Sequence, residues 1–231
     1  MAVRKYFRRP DGAGATSLTT TGPKRGRGSV RIVAGRWRRS LVEVPLAEGL
    51  RPTSERVRET VYDWLAHLFG SLGGRSVLDM FAGSGAMGLE AASRGASAVD
   101  WVDTNRASIA AIRAALKRLG AGPEMRCHAC DAFAFLESTP QRYDFIVIDP
   151  PFSKELQKKA AAAAIPHLAD EGLLYVESPG SLLSEETLDE LGLTRVRSAG
   201  AGAVRFELLA RAGSALAGLA KPSKEEKRKK S

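Results

Sequence analysis

The chain has 231 residues, 44% of them hydrophobic, which bounds one α/β domain with additions at its ends and is ample for a sizeable core. No apolar run reaches the roughly 20 residues of a membrane helix, which excludes a helical membrane protein. The formal charge is +9, but residues 1–39 carry eleven Arg or Lys and one Asp, residues 221–231 carry six against two Glu, and the stretch between is net acidic. Basic ends of this kind suit a polyanion, whose counterions they displace, or serve only as solvated tails that aid solubility.

Residues 1–28 are rich in Gly, Thr and Arg without apolar periodicity, and a disordered basic extension is expected there. They hold no continuous apolar stretch of the secretory kind; a basic, acid-poor transit peptide stays open for a eukaryotic source. Residues 30–33 and 41–44 alternate around Gly35-Arg36-Trp37-Arg38-Arg39, which predicts a hairpin. Its turn offers Arg36, Arg38 and Arg39 to RNA, while Trp37 either joins that surface or packs on the hairpin's own apolar face. From Thr53 the period changes: Val57, Val61, Trp64, Leu65 and Leu68 recur at helical spacing, with Thr53 or Ser54 as N-cap and Gly70 near the stop. On that periodicity Arg56 and Arg58 are ordinary solvent-facing residues.

Residues 76–81 read as a buried strand, Ala82-Gly83-Ser84-Gly85-Ala86-Met87-Gly88 as a glycine turn, and Leu89-Glu90-Ala91-Ala92 as the helix it enters. Strand, glycine turn and helix make a cofactor-binding corner, and a nicotinamide cofactor fits it as well as any other. Taken alone the glycines also fit a tight turn with close helix packing. The next apolar run, residues 98–102, ends at Asp103, where a carboxylate suits ribose hydroxyls. Ile109, Ile112, Leu116 and Leu119 mark a helix stopped by Gly120 and Gly122-Pro123, and residues 125–130 form a third strand with Asp131 just beyond, placed to accept from an adenine amino group.

A fourth strand, residues 145–148, runs into Asp149-Pro150-Pro151-Phe152. An exocyclic amine on a nucleobase is a poor nucleophile because its lone pair is delocalised into the ring. Acceptors around its two N–H groups favour a pyramidal nitrogen, and Asp149 with the Pro150 carbonyl is such a pair. Prolines stiffen the turn and remove donors, and Phe152 offers a face for an extruded base. The bland reading is a strand ended by a Pro-Pro turn with a capping Asp. In an open parallel sheet, however, ligands sit at the carboxyl ends of strands, so the glycine turn, Asp103, Asp131 and Asp149 are expected to share one crevice. Alternation continues through residues 173–176, and residues 194–198 and 204–209 flank a connection short enough for an antiparallel hairpin.

Cys127 and Cys130 form a C-x-x-C without the second pair that a closed zinc site needs, so no metal is expected and buried strand cysteines are the default. His67 and His167 read as surface or capping residues. Two cysteines and no export signal favour a reducing cytoplasm.

The chain resembles the class I methyltransferases that use S-adenosylmethionine, and among them the bacterial 16S rRNA guanine-N2 methyltransferases of the RsmD type. Three blocks carry the likeness: Leu50-Arg51-Pro52-Thr53-Ser54-Glu55-Arg56-Val57-Arg58-Glu59-Thr60, the glycine block from Val77 to Ala91, and Asp149-Pro150-Pro151-Phe152. The resemblance covers about residues 29–210. It implies an α/β, doubly wound, mostly parallel seven-stranded, Rossmann-like sheet with a C-terminal antiparallel hairpin and a small N-terminal β-hairpin plus helix. The domain boundaries expected are a basic extension at 1–28, hairpin and helix at 29–70, the methyltransferase domain at 71–212 and a basic tail at 213–231.

Carried over residue by residue, the likeness implies that Asp79, Gly83 and Gly85, with Phe81, Ala82 and Ser84 between them, line the methionine end of the cofactor. Asp103 takes the ribose, Asp131 with Ala132 the adenine, and Asp149 to Phe152 the target amine. Arg51, Thr53 and Arg56 close over cofactor or substrate, and the likeness, not the periodicity, is what promotes Arg56. Many relatives carry Glu where Asp103 stands and an acid where Asn105 stands. The expected partner is 16S rRNA within the small ribosomal subunit or an assembly intermediate, and the expected state a monomer. A DNA adenine methyltransferase shares the Asp-Pro-Pro-Phe chemistry, although no sizeable target-recognition insertion is present. A nicotinamide oxidoreductase shares the glycine turn, and a non-catalytic RNA-binding module would use the basic ends.

Overall fold

A computed structural model describes residues 28–43, 53–151 and 154–220. Arg51, Phe152, the N-terminal extension and the Lys-rich tail lie outside the described residues. Two short strands, β1 (Ser29–Arg31) and β2 (Leu41–Glu43), pair antiparallel as the expected hairpin. Helix α1 (Glu55–Phe69) follows, and of the two candidate caps it is Ser54 that serves, its Oγ accepting from the Val57 amide at 3.3 Å. Gly70 ends the helix at φ 71°, a conformation glycine adopts without strain.

The body alternates strand and helix: β3 (Ser76–Asp79), α2 (Ala86–Ser93), β4 (Ala98–Val102), α3 (Arg106–Arg118), β5 (Met125–His128), α4 (Ala132–Ser138), β6 (Tyr143–Ile148), α5 (Lys154–Ala164), β7 (Leu168–Pro179), α6 (Glu185–Leu191), β8 (Leu193–Ala201) and β9 (Val204–Arg211). The seven strands of the main sheet run in the order β5-β4-β3-β6-β7-β9-β8. Strands β3 to β7 pair parallel, and β9 enters antiparallel to both β7 and β8. The expected doubly wound sheet with its closing hairpin is therefore present. Among the described residues no helix is long and apolar enough to cross a membrane.

Period-2 alternation divides the core. Val77, Val99, Phe145, Leu173 and Tyr175 face one side with α1, α2, α3 and the hairpin's Ile32, Trp37 and Val42. Leu78, Ile146, Ile148, Leu174 and Val176 face the other with α4, α5 and α6. Both strand faces are buried, so the strands read as continuous apolar runs. Three helices missed by periodicity, α4 to α6, are short or Ala-rich, and their apolar stripes are correspondingly weak.

The hairpin lies along α2. The carboxylate of Glu90, wholly buried, accepts the Val33 and Ala34 amides at 2.9 and 3.0 Å and pairs with Arg94 at 2.8 Å. Further along, the Arg36 amide donates to the Ser93 carbonyl at 2.8 Å. A Cβ on Gly35 would come within 2.0 Å of that carbonyl oxygen, so only glycine permits the approach. Trp37 is buried against the core, beneath the Arg36 guanidinium at 4.3 Å. Of the two readings of Trp37, packing is the one the structure adopts.

Candidate functional site

Because β3 to β7 are parallel, the segments following them lie along one edge of the sheet. Strand β3 stops pairing at Asp79, two residues earlier than its apolar run suggests, and the chain turns through Met80, Phe81, Ala82, Gly83 and Ser84 to Gly85. Gly83 and Gly85 have φ of 50° and 73°. Helix α2 starts at Ala86, so Gly88 is a helical residue and not part of the turn. Its reason is packing: a Cβ there would fall 2.2 Å from the Trp101 indole nitrogen. That same nitrogen donates to the Gly85 carbonyl at 3.2 Å, which fastens the loop to β4. Ser84 caps locally, accepting from the Ala86 amide at 3.3 Å.

The next two acids each brace a loop. Asp103, after β4, accepts the Gly83 amide on one carboxylate oxygen and the Asn105 amide on the other, both at 2.7 Å. Asn105 in turn caps α3 through the Ala107 and Ser108 amides. Asp131, after β5 and exposed, caps α4 by receiving the Phe133 and Ala134 amides on Oδ1 at 2.9 and 3.0 Å, with Ala132 buried as the first helical residue. Both aspartates have lone pairs left for an outside donor, since each oxygen of an ionised carboxylate accepts twice. Phe81 and Phe133 meet edge-on at 6.4 Å between the glycine turn and Asp131, an aromatic pair the sequence reading did not single out.

At the centre of the edge the register aligns three carboxylates. Asp79 stands opposite Val147, two residues before Asp149, and Ile148 stands opposite Val176, which puts Glu177 beside Asp149. Asp79, Asp149 and Glu177 thus occupy the ends of neighbouring strands on the α1 face. Asp79 is 2% exposed and accepts the Gly88 amide at 3.0 Å. Burial, partly offset by that amide and reinforced by Asp103, pushes its carboxyl up to about 7. Asp149 is raised well above the carboxylate range by burial first and then by Glu177 and Asp79, while a hydrogen bond with the Thr53 side chain pulls it down. Glu177 receives the Tyr175 hydroxyl at 2.6 Å, and its carbonyl accepts from the buried Gln157 amide at 2.8 Å. Among the described residues no Lys or Arg is bonded to Asp79 or Asp149. Glu177 was not singled out from the sequence, because nothing local separates an acid inside a strand run from one beside a site.

Pro150 is buried and Pro151 exposed, directly after Asp149. Thr53 reaches the carboxylates from the lead-in to α1, and Arg56 is exposed in that helix's first turn. Arg58 corrects the solvent-facing reading: it is 1% exposed, with its guanidinium turned inward. Arg36, Arg38 and Arg39 lie elsewhere. Their turn sits at the C-terminal end of α2, the opposite end of that helix from the glycine turn, where Arg38 and Arg94 share a cleft with Glu59 and Asp63.

Residues 30–208 match the family model described as Conserved hypothetical protein 95. The chain is 39% identical over 155 residues to ribosomal RNA small subunit methyltransferase D of Escherichia coli (strain K12), covering 66% of this chain and 76% of that one. It is 33% identical over 157 residues to the protein of the same name from Haemophilus influenzae, covering 66% and 80%. The solved structure of the yhhF protein of Escherichia coli superposes with a TM-score of 0.69 at 33% identity, over 80% of this chain and 99% of that one. The chain belongs to the Conserved hypothetical protein 95 family, the RsmD family of methyltransferases.

Proposed function

We propose that the protein transfers a methyl group from S-adenosylmethionine to the exocyclic N2 amine of a guanine in the 16S rRNA of the small ribosomal subunit. The observation that carries this reading is the triad of carboxylates on β3, β6 and β7. Asp79 is buried, Asp149 half-buried, and both are faced by acids, an arrangement that suits a cationic ligand. S-adenosylmethionine is such a ligand: when bound it supplies a methyl group on a positively charged sulfur that is already a good leaving group. Asp79 and the turn from Phe81 to Gly85 would hold its methionine end, Asp103 its ribose, and Asp131 with Ala132 its adenine. The sequence relation to the RNA methyltransferases named above supports ribosomal RNA as the substrate.

Transfer of this kind needs alignment more than a strong base. In this reading Asp149 accepts one N–H of the amine and the Pro150 carbonyl the other, which directs the nitrogen lone pair outward, and Asp149 takes the proton released. Phe152, outside the described residues, supplies the stacking face; Arg51, Thr53 and Arg56 close over the site. Arg36, Arg38 and Arg39, remote from the crevice, would grip the RNA backbone away from the reacting base. Residues 29–70 act as the cover and residues 71–212 as the catalytic domain.

Incubating small subunits that lack the modification with labelled S-adenosylmethionine, and mapping the product, tests this directly. The expected product is N2-methylguanine in 16S rRNA. The Asp149→Ala protein should bind the cofactor almost as before while turning over about a hundredfold more slowly, the scale of one lost preorganised contact. Label on adenine, or undiminished turnover in the variant, would overturn the reading.

A further inference from the structure

Arg58 is the largest buried charge that the reading above leaves without a task. It sits in the first turns of α1, yet its guanidinium points into the protein and, among the described residues, meets no carboxylate at hydrogen-bond distance. One terminal nitrogen donates to the Thr53 carbonyl at 2.5 Å and the other to the Arg31 carbonyl at 2.6 Å, while Nε has no partner. Burial lowers its pKa; Glu90 on α2, Glu55 and Glu59 on α1, and Tyr62 act in the opposite sense. A charge held in the interior by two neutral carbonyls is an expensive way to fasten a hairpin, since a methionine of similar length would pack there without a charge to desolvate.

What the two carbonyls have in common is Thr53. Its carbonyl is gripped by Arg58, and its side chain acts on the Asp149 carboxylate in the sense that lowers its pKa. The second grip, on Arg31, ties the same guanidinium to β1, and Arg31 approaches Glu55 at 3.8 Å on the outside. Ser54, next in sequence, is fixed as the α1 cap. Beside these groups Ser29, Val30, Arg31, Thr53, Ser54 and Arg58 line an open cleft of about 240 Å³. Among the described residues, Arg58 is the side chain bonded to the Thr53 carbonyl.

We infer that Arg58 is a positioning residue for methyl transfer, holding Thr53 by its carbonyl so that the Thr53 hydroxyl donates to Asp149, and using the N-terminal hairpin strand as its second anchor. This rests on Asp149 being the group that handles the target amine. The hydroxyl stabilises the charged carboxylate, the form able to accept an N–H or a proton. It works against the acids that face Asp149 from the other elements: Asp79 on β3, and Glu177 with the Tyr175 hydroxyl on β7. Arg58 is not among the charges acting on Asp149, so its influence runs through Thr53 and not through space.

The test is a carboxyl-carbon NMR titration of Asp149 in the full-length protein, in the wild type and in Arg58→Met, Arg58→Lys and Thr53→Val. Loss of a donor to the charged form raises a carboxyl pKa. Arg58→Met and Thr53→Val should each move the Asp149 titration up by about one pH unit, and the double variant by no more than either alone. Arg58→Lys keeps the charge and surrenders the two-carbonyl grip, so it should shift as Met does. Full restoration by Lys would mean that charge, not grip, is what Asp149 senses, and would overturn the inference. So would an unmoved titration in Arg58→Met, or shifts that add in the double variant. Should Arg58→Met fail to fold, the Lys and Thr53→Val proteins decide the matter by the same titration. On unmodified small subunits, the acidic limb of kcat against pH should follow the titration. A shifted titration in a protein that transfers no methyl group leaves Arg58 its role and removes the functional reading instead.

Discussion

Asp79 holds its proton near neutrality because its carboxyl lies in the interior with one backbone amide for company. Its folded value of about 7 is above the ordinary 3.8, so between those pH values the folded protein keeps a proton that the unfolded chain has lost. Stability from this group is therefore highest in acid, falls as pH rises through that window and levels off above it. A cation placed against the carboxylate reverses the preference and expels the proton. At pH 6, binding of S-adenosylmethionine should release about one proton from Asp79, and above pH 8.5 that release should vanish. Calorimetry in buffers of different ionisation enthalpy measures it; a heat independent of buffer at pH 6 would exclude Asp79 as a cofactor ligand.

Between elements, the contact that most shapes the molecule is the docking of the hairpin on α2. Glu90 is wholly buried in an Ala-rich helix, and its carboxylate serves the two amides at the end of β1. Glu90→Gln turns one acceptor into a donor facing a donor, and should cost roughly 1–3 kcal/mol of stability in denaturant unfolding. Exchange of the Val33 and Ala34 amides should quicken at the same time. If those amides stay protected, the docking depends on Gly35 and Trp37 and not on Glu90. This contact also marks where the sequence stops being legible. The βα alternation could be read because each strand is an apolar run ended by Gly or Asp, and the ends of such runs point to one edge. The burial of Arg58 could not, since it is created by a carbonyl of β1 that no helical periodicity anticipates. Glu177 gains its place only from the pairing of Ile148 with Val176, and Gly88 passes for a turn residue until Trp101 is found against it.

Over the whole molecule, charge and topology pull in different directions. The described body sets Asp79, Asp103, Asp149 and Glu177 along the crevice, while the cationic excess is carried by residues 1–39 and 221–231. Polyanion binding through such ends depends steeply on salt, the logarithm of affinity falling by about 0.7–0.9 per phosphate neutralised for each tenfold rise in salt. A chain ending at Ala220 should bind 16S rRNA with a visibly shallower salt slope in filter-binding assays; an unchanged slope would make the Lys-rich end a solubility tail.

The strand order sets a schedule as well as a shape. Strand β3 pairs with β4 soon after both are made, but its other neighbour, β6, arrives only after the chain from Val77 to Phe145 has been spun out and closed into a loop. Until then β3 is a raw edge, and Asp79 looks onto water instead of onto Asp149. Pairing of β6 with β3 closes a long loop and brings Asp149 beside Asp79, and Glu177 joins them only when β7 pairs with β6. In chain order the repulsion of the crevice therefore builds in two steps, with β3, β4 and β5 made before the first and β6 before the second.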